Sequence, residues 1–153
     1  YALGSKDKTF TGCPTLSAIG EFAFSGAPYL EEVKRINTLK YINENAFYNC
    51  SSLANVVLGN SVKTIGANAF YNCASGMNIN IPASVENLAD GTGYYNNSIC
   101  TNIANVRFES STPPATLTWQ TFQPYSTYYV PAGSKAAYRE ILIIEGEPKI
   151  IEY

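Results

Sequence analysis

The sequence predicts an α/β solenoid. Short parallel strands stack along one side, helical or 3-10 turns along the other, and a C-terminal strand–helix–strand cap closes the stack. Three observations carry this expectation. The hexapeptide NAFYNC stands at 45–50 and again, letter for letter, at 68–73, which is 23 residues later. Its flanks repeat at the same interval of 23: Ile19, Ile42 and Ile65; Leu30 and Leu53; Val33, Val56 and Ile79; Leu39, Val62 and Val85. Finally, the apolar positions fall in short L-x-x-V-x-L runs rich in β-branched residues, which suit a strand. A period of this length marks stacked supersecondary units.

Residues 53–75, LANVVLGNSVKTIGANAFYNCAS, make one unit. In its strand, Leu53, Val56 and Leu58 face inward while Asn55 and Val57 face outward. GNS at 59–61 is a turn. Val62 and Ile65 then return to the core. Gly66 follows, with Gly20 and Asn43 at the equivalent positions. Gly and Asn tolerate a left-handed backbone, so this corner is expected to need positive φ. ANAFYNC closes the coil as a helical or 3-10 turn. Ala69 is small where coils approach, Phe70 plugs the interior and Cys73 packs beside it. One coil cannot bury its apolar stripe alone, whereas stacked coils bury a continuous core with equivalent strands paired in parallel at about 4.8 Å. Phe24, Phe47 and Phe70 then form a ladder that fixes register, each burial contributing about 1.5–3 kcal/mol.

The C-terminal segment leaves the repeat. Pro113 and Pro114 end a strand. Trp119 and Phe122 are expected to cover the last coil; the alternative role for Trp119 is to stack on a sugar. YYVP at 128–131 is a strand, AGSKAAYREI at 132–141 a short helix with Ser134 as N-cap, and KIIEY at 149–153 a returning strand. Solenoid ends need such covers, because an open edge and core invite association. The expected organisation is a repeat solenoid over 1–110, about four coils with an irregular loop at 89–99, and a cap over 111–153 in the same structural domain.

Composition narrows the function. Of 153 residues 46% are hydrophobic, enough for one domain with a sizeable core. A net charge of −2 without a basic patch argues against nucleic acid as partner. The purely apolar runs are too short to span a membrane. The start shows neither Met nor a signal-peptide pattern, which reads as a chain whose targeting segment has been removed. There is no histidine, the commonest general base and metal ligand. No H-E-x-x-H, G-x-S-x-G, P-loop or G-x-G-x-x-G occurs, and the 12 carboxylates stand in no distinctive context. No catalytic residue, metal ligand set or cofactor site is expected, so the chain reads as a non-enzyme. Cys13, Cys50, Cys73 and Cys100 are too far apart for a C-x-x-C site and are expected at one fixed, buried place in each coil. Stacking puts equivalent Cα atoms within disulfide range, but parallel Cβ vectors do not converge to the required ~3.8 Å. Free thiols are expected.

The phrase I-G-x-x-A-F-x-x-C-x-x-L-x-x-V-x-L resembles the leucine-rich repeats of the BspA type, also called the Treponema pallidum type. The resemblance covers about residues 10–110 and is clearest at 42–73. YYVPAGSKAAYREI at 128–141, followed by KIIEY, looks like the closing segment of many such proteins from gut Bacteroidetes. The resemblance implies a leucine-rich-repeat solenoid outside the cytoplasm, secreted or on the cell surface, often lipid-anchored. It further implies an adhesin-like role toward a host extracellular-matrix protein, a cell-surface protein or a glycan.

Three departures stand out. FTGCPTLSAIGEFAF at 10–24 fits Phe10, Cys13 and Leu16 to the Phe, Cys and Leu slots, which makes the first coil short. Arg35 stands where Leu58 does, with Ile36 shifted by one. At 89–99, ADGTGYYNNSI inserts four residues, so that Cys100 falls in the Cys slot and Asn97 in the Phe slot. There Tyr94 and Tyr95 have two readings: an exposed aromatic contact on a loop, or replacement of the missing Phe by one of them.

The outward strand face is the candidate ligand surface. The register names its rows: Glu32, Asn55, Asn78 and Asn105; Lys34, Val57, Asn80 and Arg107; Glu31, Ala54, Met77 and Ala104. Lys34, Asn55, Val57, Asn78, Asn80, Asn105 and Arg107, together with Tyr94 and Tyr95, are the candidate contacts. The asparagines have a second reading, a self-satisfied amide ladder that stabilises stacked strands without a ligand. Two functions follow: an exported binding module holding a protein or glycan on this face, or a passive spacer of a surface protein.

Overall fold

The computed structural model describes residues 6–89, 99, 103–122, 126–143 and 147–153. The strands are β1 (Thr9–Phe10), β2 (Ala18–Ile19), β3 (Glu32–Val33), β4 (Tyr41–Ile42), β5 (Asn55–Val57), β6 (Thr64–Ile65), β7 (Met77–Ile81), β8 (Asn87–Leu88) and β9 (Ile103–Phe108). They are followed by β10 (Thr127–Val130), helix α1 (Lys135–Leu142) and β11 (Lys149–Glu152). Odd-numbered strands up to β9, then β10 and β11, form one parallel seven-stranded sheet in the order β1-β3-β5-β7-β9-β10-β11. β2, β4, β6 and β8 form a second parallel sheet. Among the described residues five coils therefore stack, and the 23-residue interval is the pairing register: Asn55 sits opposite Asn78 and Val56 opposite Ile79.

The recurrence of NAFYNC has a hydrogen-bond reason. In the turn after β4, Ala46, Tyr48 and Cys50 donate their N–H groups to Asn43, Asn45 and Phe47 of the same turn. Asn45, Phe47 and Asn49 donate instead to Ala67, Ala69 and Tyr71 of the next coil. Alternate amides thus close the turn and staple the stack, which keeps buried backbone donors paired. The turn is not a continuous helix, because it passes twice through the left-handed region, at Asn45 (φ 55) and Asn49 (φ 59), and again at Asn68 and Asn72. The sequence expectation of positive φ at Gly20, Asn43 and Gly66 is therefore corrected: the left-handed residues lie two positions later. Gly66 answers to a different constraint, since a Cβ there would stand 2.6 Å from the backbone N of Glu44. In the first coil Phe22 (φ 55) occupies the left-handed slot, 58% exposed.

Inside, Phe24, Phe47 and Phe70 stack with ring centroids 5.1 and 5.2 Å apart. The ladder predicted from the repeat is present. Cys50 and Cys73 are buried free thiols whose Sγ–H donates to the carbonyls of Phe24 (3.0 Å) and Phe47 (3.3 Å) of the preceding coil. Burial pushes these thiols up, to about 11 for Cys50 and about 12 for Cys73, so they remain protonated donors.

Two register assignments change. Thr9 and Phe10 pair with Glu32 and Val33, so Phe10 fills the strand slot of Val33 and not the Phe slot. The first coil keeps the full interval, and half-exposed Cys13 falls at the place of Ile36, away from the buried thiols. In the irregular coil, Ile99 accepts the Phe70 N–H as Ala69 accepts that of Phe47, three residues later than an alignment on Cys100 puts it. Cys100, Asn97, Tyr94 and Tyr95 lie outside the described residues. β9 carries one extra residue, Ala104, between the partners of Met77 and Asn78, a bulge as β7 meets β9. Met77 is fully buried, so it does not belong to the outward face.

The strand–helix–strand segment forms as expected. β10 and β11 extend the large sheet in parallel, and Tyr138 of α1 is buried against Phe108. The Ser134 side chain does not cap α1; it donates to Pro131 O. The Glu152 carboxylate of β11 accepts the Lys135 N–H at 2.9 Å instead. The exposed edge of β8 is closed by Thr116, whose hydroxyl accepts from Leu88 N and donates to Leu88 O. Phe122 is buried, whereas Trp119 is 48% exposed.

Candidate functional site

The large sheet presents every second side chain outward, because successive residues of a strand face opposite ways. Pairing aligns these into rows across the strands. One row runs Thr9, Glu32, Asn55, Asn78, Asn105, Thr127 and Lys149. The next runs Val57, Asn80, Arg107, Tyr129 and Ile151. Lys34 follows Val33, the partner of Val56, and continues this row toward the first coil. The sequence register named the central members of both rows. It did not extend them to Tyr129, Ile151 and Lys149, because β10 and β11 lack the repeat motif.

Between the rows lies a shallow groove of about 200 Å³, lined by Asn55, Val57, Asn78, Asn80, Asn105 and Arg107 with Val56 and Ile79 beneath. Six of the sequence-predicted residues meet there. Lys34 does not line it; its ammonium stands 3.8 Å from Glu32. Toward the first coil, and sharing Asn55, opens a wider hollow of about 530 Å³ lined by Thr9, Glu31, Glu32, Ser52 and Ala54. Glu31 there is paired with Lys8 at 2.8 Å.

The groove side chains differ in how committed they are. Asn105 Nδ2 donates to Asn78 Oδ1 at 2.6 Å, one rung of the amide ladder. Asn80 is turned back onto the backbone: its Oδ1 accepts the Leu58 N–H at 2.7 Å and its Nδ2 donates to Glu109 at 3.1 Å. Val57 leaves 37% of its surface to solvent. Arg107 is clamped from outside by the C-terminal residue. Its guanidinium carbon lies 3.5 Å from the centroid of the Tyr153 ring, and the Tyr153 hydroxyl donates to Phe108 O at 2.8 Å. The aromatic partner was not legible in advance, since the tail carries no repeat. Among the described residues, the ion pairs are Lys8–Glu31, Lys34–Glu32, Lys63–Glu86 and Arg139–Glu147, and Arg107 is in none of them.

The BspA-type leucine-rich repeat region matches residues 17–123, in six copies. The chain belongs to the BspA-type leucine-rich repeat family. Among solved structures it is similar to the crystal structure of the pneumococcal vaccine antigen PcpA, with a TM-score of 0.71 and 21% identity. The similarity covers 90% of this chain and 34% of the antigen's, so this chain spans about a third of that protein. At that identity the likeness establishes the solenoid fold. None of the curated proteins matches the chain. A BspA-type repeat chain is a binding or structural module. No helix among the described residues is long and apolar enough to cross a membrane.

Proposed function

We propose that this chain is a non-catalytic, adhesin-like binding module that holds a protein or glycan on its outward strand face. It works outside the cytoplasm, secreted or held at the cell surface, in some settings through a lipid anchor. The partner is a host extracellular-matrix protein, a cell-surface protein or a glycan. One observation carries the reading: Asn55, Val57, Asn78, Asn105 and Arg107 line a single groove, with an apolar edge at Val57 and a guanidinium in no ion pair among the described residues. Arg and aromatic side chains are the usual anchors of an interface.

An array of glycans and matrix proteins probed with the purified chain tests this. Val57→Arg is expected to abolish any binding found, whereas Asn49→Ala, on the turn side, leaves it unchanged. The reverse pattern moves the binding surface to the turns. A specific observation favours the alternative of a passive spacer: Asn80 and the Asn78–Asn105 pair spend hydrogen bonds within the stack. A chain that captures nothing on the array supports that alternative.

A further inference from the structure

The proposed face is uneven in charge. At its N-terminal end stand Glu31 and Glu32, next to the wider hollow. Lys8 and Lys34 partly offset them. At the other end stand Arg107 and exposed Lys149, which lies in the same row as Asn105, two strands on. The groove between carries amides and one valine, and among the described residues Arg107 is its only charged lining residue. Among the described residues, the Glu109 carboxylate accepts from Asn80 and the Glu152 carboxylate from the Lys135 N–H. Tyr153 covers one face of the Arg107 guanidinium and fixes its position, leaving its in-plane N–H edges as donors. A guanidinium held this way suits a carboxylate, which it can bind with two parallel hydrogen bonds.

The amide row decides what carries that carboxylate. Equivalent asparagines on neighbouring strands recur at about 4.8 Å across the sheet, whereas an extended peptide repeats its same-side groups at about 6.6 Å. The two periods fall out of step within a few residues. Sugar hydroxyls, spread around a ring and able both to donate and to accept, place no such demand on amides, which also do both. A polyanion laid along the whole groove would meet Glu31 and Glu32, so the acid must be local. Resting on the strand-face reading above, we infer that the groove binds a glycan ending in a carboxylated sugar, with the carboxylate on Arg107 and neutral sugar residues over Asn78 and Asn55.

The test titrates the full chain by calorimetry with three probes: a short oligosaccharide ending in a hexuronic acid, the methyl ester of the same oligosaccharide, and an Asp/Glu-containing peptide. The acid is expected to bind at least about 10-fold more tightly than the ester, in line with a hydrogen bond to a charged group. Arg107→Gln removes that preference, binding acid and ester alike, while its melting temperature stays near that of the parent. Arg107→Lys retains part of the preference. Equal affinity for acid and ester, no acid binding at millimolar concentration, or tighter binding of the peptide overturns the inference. The two readings fail differently. If Val57→Arg abolishes glycan binding while Arg107→Gln still prefers the acid over its ester, the strand face stands and the carboxylate assignment falls. If neither substitution affects binding, the strand face itself falls.

Discussion

Replacing Phe47 by alanine tests the stacked core at its centre. Phe47 is fully buried, with Phe24 at 5.1 Å on one side and Phe70 at 5.2 Å on the other. A buried Phe→Ala change costs about 3–5 kcal/mol, depending on how far the surroundings collapse into the space. Collapse is resisted here. The turns on either side are tied by the hydrogen bonds from Phe24 to Ala46 and from Phe47 to Ala69, both 2.8 Å. Two aromatic pairs are also lost, each worth about 0.5–1.5 kcal/mol beyond burial. The upper part of the range, about 4–5 kcal/mol, follows. Phe24→Ala also loses two aromatic contacts, to Phe10 at 4.5 Å and Phe47 at 5.1 Å, but at a residue 7% exposed it should cost less, about 3 kcal/mol. For a chain of this size, Phe47→Ala then lowers the melting temperature by roughly 10–20 °C. Urea and thermal unfolding followed by far-UV circular dichroism measure both variants. A shift of a degree or two for Phe47→Ala, or a larger loss for Phe24→Ala, refutes the ladder as the element that sets register.

Three further outcomes are expected. In the native protein Cys13 reacts with a thiol reagent while Cys50 and Cys73 react only after unfolding; prior oxidation of the buried pair would contradict the parallel-Cβ geometry. Stability falls as pH rises above 9. The buried thiols hold their protons to about 11 and 12, whereas the unfolded chain releases them near 9.0, so their contribution is complete below pH 9 and is lost above it. The loss at pH 10 is about 1 kcal/mol per thiol, and a double Cys50→Ala, Cys73→Ala variant should show a flatter decline in urea titrations. Gly20 and Gly66 share one repeat slot but should respond in opposite ways to alanine. Gly66→Ala meets the Glu44 backbone at 2.6 Å and costs about 1–3 kcal/mol, whereas Gly20→Ala meets nothing within 4 Å and is neutral or slightly stabilising by thermal melt.

The repeat was legible because each coil asks the same thing of the same position. Val56, Ile79 and their equivalents must point inward, Phe47 and Phe70 must fill one slot, and parallel pairing follows from the interval alone. The outward rows were legible for the same reason, and the groove residues Asn55, Val57, Asn78, Asn80, Asn105 and Arg107 are rows of that register. Where the chain departs from the repeat, spacing misleads. Phe10 matched a Phe slot by letter, but the β1–β3 pairing puts it in a strand slot. Met77 was counted into an outward row, but it stands next to outward-facing Asn78, and the two-residue alternation of β7 puts it inside with Ile79 and Ile81. The left-handed positions were sought at Gly20, Asn43 and Gly66, yet they fall two residues later, at Phe22, Asn45 and Asn68, and Gly66 marks where two backbones nearly touch. The Arg107–Tyr153 contact joins residues 46 apart with no motif linking them, so only the folded chain brings them together.

The width of the large sheet has a mechanical consequence. β1 pairs with β3 over two residues and β3 with β5 over two, whereas β9 pairs with β7 over five and β10 with β11 over four. Under tension applied along the stack, hydrogen bonds between coils are loaded one rung after another, as in unzipping, and the narrow end gives way first. The pairing among β1, β3 and β5 should therefore open before that of β7, β9, β10 and β11. Each coil released frees 23 residues, or ~80 Å of extended chain. A load too small to disturb the broader pairing of β7 and β9 would already be relieved at the narrow pairing of β1 and β3, so the strand-face groove keeps its shape while that pairing yields.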